Sequence, residues 1–182
     1  MKKIALVFVI LLVSCTKNEP VQFSEEALEE VVFDLNKNPF ELKEVLQRFE
    51  GKKILIDVWA SWCGDCIKGL PAVRVLQKEF PEVVFLFLSV DTNEEAWKKG
   101  IKRFQVAGKH FNLPKGMKVG AFVDFIDLSW IPRYIVINET GVITLFNATK
   151  ASDSLLQAAL KKACLLYTSD AADDLLCVDL GG

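Results

Sequence analysis

Two cysteines separated by two residues, Cys63-Gly64-Asp65-Cys66, carry the most reactive chemistry in this 182-residue chain. A C-x-x-C pair either ligates a metal or makes and breaks a disulfide, and its surroundings decide between the two. This pair follows an apolar, β-branched run from Lys53 to Trp59, and a helical pattern follows it through Leu70, Val73, Leu76 and Phe80. A strand-to-helix turn puts Cys63 at a helix N-terminus, where unpaired N–H groups and the helix dipole favour an anion. The Cys63 thiolate is therefore favoured, with a pKa expected below the free-thiol value of about 8.5. Cys66 sits one turn inside, within reach of Cys63 and shielded from solvent. The expected chemistry is exchange, with Cys63 attacking and Cys66 resolving. The other cysteines are Cys15, Cys164 and Cys177. The single histidine, His110, reads as a surface residue in a loop, so no metal site is expected.

The elements that must position this pair follow from periodicity and punctuation. Asn38-Pro39 predicts a helix start, with Phe40, Val45, Leu46 and Phe49 on one face and Gly51 as the end. Lys53 to Trp59 is long enough for a buried parallel strand, interrupted only by Asp57. Pro71 is expected to bend the helix that follows. Val83 to Val90 is a second apolar strand. Thr92-Asn93-Glu94-Glu95 reads as a capping box for a helix that buries Ala96, Trp97, Ile101 and Phe104. In 105–130, Gly108, Pro114, Gly116 and Gly120 imply loops, with a short helix over Val123 to Leu128. Arg133 to Asn138 and Val142 to Asn147 flank Glu139-Thr140-Gly141 as a hairpin, and Ser152 or Asp153 caps a last helix through Ala163. Strands alternating with helices predict an α/β fold with a parallel sheet, antiparallel pairing from the hairpin, and helices on both faces.

Both ends read as separate from this domain. Residues 1–15 resemble a lipoprotein signal: Lys2 and Lys3, an apolar run from Ile4 to Val13, then Leu12-Val13-Ser14-Cys15, which is similar to a lipobox. The run is too short to span a bilayer. The resemblance implies acylation of Cys15, a lipid anchor in a bacterial membrane, a polar tether over 16–30, and a domain facing the periplasm, where disulfides persist. At the other end, 164–182 carries four Asp, no Lys or Arg, and two cysteines. The codons TGT CTC TTA TAC ACA TCT GAC GCT GCC GAC spell residues 164–173 and match a transposon-end sequencing adapter. That stretch is therefore expected to be a non-native read-through tail, leaving 31–163 as the domain.

The segment Ile54-Leu55-Ile56-Asp57-Val58-Trp59-Ala60-Ser61-Trp62-Cys63-Gly64-Asp65-Cys66 resembles the active-site segment of thioredoxins, and Pro71 matches the proline that kinks their helix. Trp130-Ile131-Pro132-Arg133-Tyr134-Ile135-Val136-Ile137 resembles the loop that holds the family's cis-proline. With the lipobox and the longer central insertion, the chain is most similar to the TlpA-like group of membrane-anchored thioredoxin-fold proteins. The resemblance implies a thioredoxin-like fold with a central mixed sheet, and a thiol:disulfide oxidoreductase using no cofactor beyond a Cys63–Cys66 disulfide. It implies that Pro132 is cis and packs beside that disulfide, leaving the Ile131 backbone to pair with an extended substrate. Asp57 would relay a proton for Cys66, helped by burial that raises its pKa; its other reading is a capping or salt-bridged carboxylate. Phe87 stands where thioredoxins place the lysine that accompanies this acid. Trp62, Gly64 and Asp65 complete the substrate-facing set. Asp65, where the family commonly has proline, opposes a thiolate at Cys63 and pushes the couple towards reduction of partners.

Charge narrows the partners. Lys plus Arg number 22 against 24 Asp plus Glu, with no basic block longer than two, so nucleic acid is not an expected partner. Expected partners are protein thiols and disulfides of the cell envelope and a membrane or periplasmic electron donor, with the domain acting as a monomer. Two rival readings are a peroxiredoxin-like peroxidase, which lacks its Thr-x-x before Cys63, and a non-enzymatic metal-carrying or binding module on the same fold.

Overall fold

A computed structural model of the chain describes residues 19–164 and 177–178. Cys15 and most of the expected tail lie outside these. The elements run α1 (Glu25–Leu28), β1 (Val31–Phe33), β2 (Pro39–Glu41), α2 (Leu42–Gln47), β3 (Ile54–Trp59), α3 (Gly64–Glu79) and β4 (Val84–Ser89). They continue with α4 (Glu94–Phe104), β5 (Lys109–Asn112), α5 (Ala121–Phe125), β6 (Arg133–Ile137), β7 (Ile143–Ala148) and α6 (Ser154–Lys161). Two further residue pairs, β8 (Ala163–Cys164) and β9 (Cys177–Val178), form a separate ladder.

One seven-stranded sheet is ordered β2-β1-β5-β4-β3-β6-β7. β3 pairs parallel with β4, and β4 with β5, while β6 lies antiparallel to β3 and β7 antiparallel to β6. The expected mixed sheet is therefore present. Every residue of β3 and of β6 is buried, which requires cover on both faces of the sheet. Apolar runs in this position can only be central strands, and they hold the rigid platform from which the Cys63 turn departs. Asp57 is the exception in β3, a carboxyl in a wholly buried strand.

Four expectations are corrected. Asn38-Pro39 does not open a helix: the Asp34 carboxylate accepts from the backbone of Asn36 and Asn38, each at 2.8 Å, making a tight turn from which Pro39–Glu41 runs back along β1. The helix starts three residues later, where the Glu41 N–H donates to the Glu44 carboxylate at 2.9 Å. The α4 cap is Asn93, which accepts from the Ala96 N–H at 2.9 Å, in place of a box built on Thr92. The 105–130 stretch hides β5, four residues without alternating hydrophobicity, paired with β4 on one side and β1 on the other.

The fourth correction concerns the tether. Val21 accepts a backbone bond from Ile143 at 2.8 Å, Phe23 packs on Phe122 and Phe125, and Ala27 is fully buried. The packed body therefore begins at Val21 and not at residue 31. The reason is packing: Phe23 and Ala27 cover the outer side of α5, which the β-sheet alone leaves open.

Candidate active site

The turn after β3 brings the two cysteines together. Cys63 is the N-cap of α3, in extended backbone conformation, and Cys66 lies in the first turn. They form a disulfide with Cα atoms 5.3 Å apart. The Cys66 N–H donates to Cys63 Sγ at 3.0 Å, so one orphan amide of the helix start is spent on the sulfur. That bond is the structural form of thiolate stabilisation. Against it, the Ile131 carbonyl oxygen lies 3.6 Å from Cys63 Sγ and presents its negative end. Both cysteines are nearly buried.

Why the turn holds its shape is visible one layer deeper. Asp91, at the end of β4 and fully buried, accepts from the Ser61 N–H at 2.8 Å, the Ser61 hydroxyl at 2.7 Å and the Ser89 hydroxyl at 2.7 Å. Asn112 on β5 donates to the carbonyls of Ser89 and Asp91. Ser61 is further confined by Gly100 of α4, where a Cβ would fall 2.5 Å from the Ser61 Cβ. The chain entering Trp62-Cys63 is thus fixed from β4, β5 and α4 at once. No motif announces this clamp, although the carboxyl ends of parallel strands are where α/β sheets place their sites.

The second motif arrives from β6. Ile131–Pro132 is a cis peptide beside the disulfide, and among the described residues no backbone group bonds the Ile131 N–H or carbonyl. A groove of about 340 Å³ is lined by Trp62, Cys63, Gly64, Asp65, Met117, Ser129, Trp130 and Ile131. Trp62 and Trp130 are 60% and 57% exposed, so two large aromatic faces stand in solvent over a nearly buried disulfide. Met117, Ser129 and Trp130 are the lining residues the sequence left without a role. A Trp two residues before the cis-proline was the available signal for Trp130; Met117 and Ser129 had none.

Asp65 sits at the rim, half exposed, with Lys68 Nζ 3.3 Å from its carboxylate. The pair is too solvated to contribute much energy, but it offsets the charge that Asp65 presents to Cys63. Gly64 has open space around its Cα, leaving the approach to the sulfurs unobstructed.

Asp57 of β3 lies on the face of the sheet that α3 covers, paired with Tyr134, whose hydroxyl lies against Gly69 of α3. It is buried, one carboxylate oxygen has no hydrogen-bond partner among the described residues, and burial raises its pKa to about 8. Its ladder neighbours are Phe87 on β4 and Tyr134 on β6, so no basic group compensates it from either adjacent strand. His110, opposite Phe87 and stacked on it with ring centroids 5.3 Å apart, is not the surface histidine expected. It is half-buried on β5 with Nε2 2.9 Å from the Val106 carbonyl, and burial lowers its pKa.

The thioredoxin-like family profile matches residues 51–143. Over 98% of its own length and 89% of this chain, the thiol-disulfide oxidoreductase ResA of Bacillus thuringiensis subsp. konkukian is 31% identical. The thioredoxin-like protein YneN of Bacillus subtilis is 32% identical over 56% of this chain and 59% of its own. The solution structure of a Bacteroides vulgatus protein assigned as a thiol-disulfide oxidoreductase superposes with a TM-score of 0.62 at 29% identity, covering 76% of this chain and 88% of that one. The chain belongs to the thioredoxin-like family. Within it, fold, cysteine pair and relatives together define a thiol:disulfide oxidoreductase whose partners are protein thiols and disulfides.

Burial of Asp57 has a measurable consequence for stability. Its folded pKa of about 8 lies above the unfolded value near 3.9, so between these the native state holds a proton that the unfolded chain has released. Stability contributed by the neutral acid is full below about pH 4 and lost as pH rises through about 8. Asp57→Asn should therefore be more stable than the parent by roughly 2–5 kcal/mol at about pH 9, with the gain shrinking towards zero near pH 4. Urea unfolding at the two pH values checks this; an equal difference at both removes the linkage.

Proposed function

We propose that this chain is a lipid-anchored reductase of the bacterial cell envelope, exchanging electrons with partner proteins through Cys63 and Cys66. The observation that carries the exchange is the Cys63–Cys66 disulfide at the start of α3, with the Cys66 amide on Cys63 Sγ and an open groove beside it. In the reduced protein the Cys63 thiolate attacks a partner disulfide. A Cys63–partner bond forms, and the first partner sulfur leaves with the electron pair as a thiolate. Asp57 then takes the Cys66 proton, and the Cys66 thiolate attacks Cys63 Sγ. The Cys63–Cys66 bond forms, the second partner sulfur leaves as a thiolate, and the partner has gained two electrons. A membrane or periplasmic donor of two electrons resets the disulfide.

The groove suits an extended partner segment. Ile131 makes no backbone–backbone bond among the described residues, which leaves its N–H for strand addition, and Pro132, lacking an N–H, cannot compete for the sulfurs. Trp62 and Trp130 supply apolar contact on either side of the partner cysteine.

The reducing direction rests on what surrounds Cys63. Among the described residues the Cys66 amide is the one hydrogen-bond donor to Cys63 Sγ, while the Ile131 carbonyl and the Asp65 carboxylate oppose a thiolate there. A weakly stabilised thiolate leaves the oxidised form favoured, which is the property of an electron donor to partners. Placement at the envelope is supported by the lipobox-like Leu12-Val13-Ser14-Cys15 and by the polar stretch between it and Val21.

Three measurements test this reading. Insulin reduction with dithiothreitol should be abolished in Cys63→Ser, while Cys66→Ser accumulates partner-linked species; peroxide turnover that survives Cys66→Ser would move the protein to peroxidase chemistry. The reduction potential should lie nearer the about −270 mV of thioredoxin than the about −120 mV of a strong disulfide donor, and a value close to the latter reverses the direction. In cell fractionation the protein should sediment with membranes, and Cys15→Ser should release it; an unchanged distribution excludes the anchor.

A further inference from the structure

A groove wall can select partners only if it keeps its place, and the wall that faces the disulfide has little hydrogen bonding of its own. Ser129, Trp130 and Ile131 form it, in the loop between α5 and the cis-proline. The first half of that loop is tied back: Asp127 turns the chain with a φ of 46°, the Leu128 N–H donates to the Val123 carbonyl at 3.0 Å, and the Ser129 N–H to the Asp127 carbonyl at 2.9 Å. Trp130 and Ile131 make no backbone–backbone bond among the described residues. They are held from the ends of the loop. Arg133, directly after Pro132, pairs with Val58 and so leaves the sheet on the face opposite Tyr134 and α3. Its side chain is nearly buried, and Nη1 donates to the Ile126 carbonyl at 2.7 Å. Ile126 is the fully buried C-cap of α5, so this bond satisfies a carbonyl that the helix end leaves unpaired. The carboxylates of Asp127 and Glu19 favour the charge of the guanidinium against the burial that opposes it.

We propose that Arg133 is a positioning residue for partner recognition, its guanidinium closing the loop from Ile126 to the cis-proline so that Trp130 and Ile131 keep their places beside the disulfide. This rests on the reading of the groove as the docking site of partner segments. The bond spans seven positions of the chain, from the C-cap of α5 to the first residue of β6, and the wall lies between its ends. Among the described residues it is the one hydrogen bond that joins those ends, and a bond from a charged donor is one of the stronger kinds. The Cys66 amide and the Asp91–Ser61 clamp, which place the sulfurs, belong to other elements. Loss of the guanidinium therefore loosens the docking of a partner and leaves the exchange step as it is.

Arg133→Met keeps an unbranched side chain and removes its donors. Insulin reduction driven by dithiothreitol gives KM and kcat for a protein partner. The first thionitrobenzoate release from 5,5′-dithiobis(2-nitrobenzoate) by the reduced full chain gives the reactivity of Cys63 towards a small disulfide that needs no docked segment. Arg133→Met should raise KM roughly tenfold, with kcat and the first release staying within about twofold of the parent. Trp130→Ala, which removes the aromatic face of the wall, should raise KM as well. A parent-like KM in Arg133→Met where Trp130→Ala raises it overturns the inference and leaves the groove standing as the docking site. A parent-like KM in both removes the groove reading and the inference with it, and a KM raised in Arg133→Met alone places the effect of Arg133 away from this wall and overturns it too. A first release that falls as far as kcat/KM reports altered sulfurs or a loosened body, and also overturns it. Should Arg133→Met not fold, Arg133→Gln keeps a polar head that stops short of the Ile126 carbonyl and is measured in the same way; an unchanged KM there counts equally against the positioning role.

Discussion

A single amide, the Cys66 N–H on Cys63 Sγ, is the interaction that the architecture exists to place. Helix starts leave N–H groups unpaired in every fold, and an anion near one is stabilised without any dedicated side chain. Turning that generic property into exchange chemistry requires the sulfur to be held at the N-cap position while its partner stays one turn inside. The buried strand β3 fixes the direction of approach, and the Asp91–Ser61 clamp fixes the last two residues before the turn. Neither is sufficient alone, since a strand sets a line while a clamp sets a point on it.

Stability and chemistry pull in opposite directions at Asp57. A carboxyl in a strand buried on both faces, with hydrophobic Phe87 on one side, is disfavoured in its ionised form, which is what raises its pKa. A lysine in place of Phe87 would relieve that penalty by favouring the carboxylate. This protein instead leaves the acid uncompensated, so its pKa of about 8 approaches the about 8.5 of an unperturbed thiol. The same burial that raises this pKa is what costs stability at high pH, where the folded protein must ionise an acid it holds away from water.

The parts of this molecule that could be read directly from its residues share one property: they are local. The strand-turn-helix around Cys63, the hairpin over Glu139-Thr140-Gly141 and the cap at Asp153 each declare themselves within a dozen residues. The misread elements depend on distant partners. Lys109–Asn112 has no alternation because its strand character comes from β4 and β1 on either side, and Asn38-Pro39 mimics a helix start although Asn38 donates its backbone and side-chain N–H groups to the Asp34 carboxylate in a turn. Within the site the same division holds. The cysteines and Pro132 stand in motifs, whereas Asp91 reaches the turn from beyond β4, and His110 is covered by Phe87 of the adjacent strand.

Partner choice is separated from chemistry in the same way. The sulfurs, the cis-proline and Asp57 stand on rigid central elements, but Met117, which closes one side of the groove, rides on the stretch between β5 and α5. That stretch is tied down from outside the site. Lys115 bonds the buried Glu30 carboxylate at 3.1 Å, and Gly116 and Gly120 adopt positive φ where it turns against Thr92 and Glu30. Glu30 belongs to the N-terminal segment that also packs on α5, so the edge of the groove is set by residues well outside the catalytic motifs. Changes there can reshape what docks over the disulfide while leaving the Cys66 amide and the Asp91 clamp in place. The edge of the groove is thus built by a segment that carries no motif of its own.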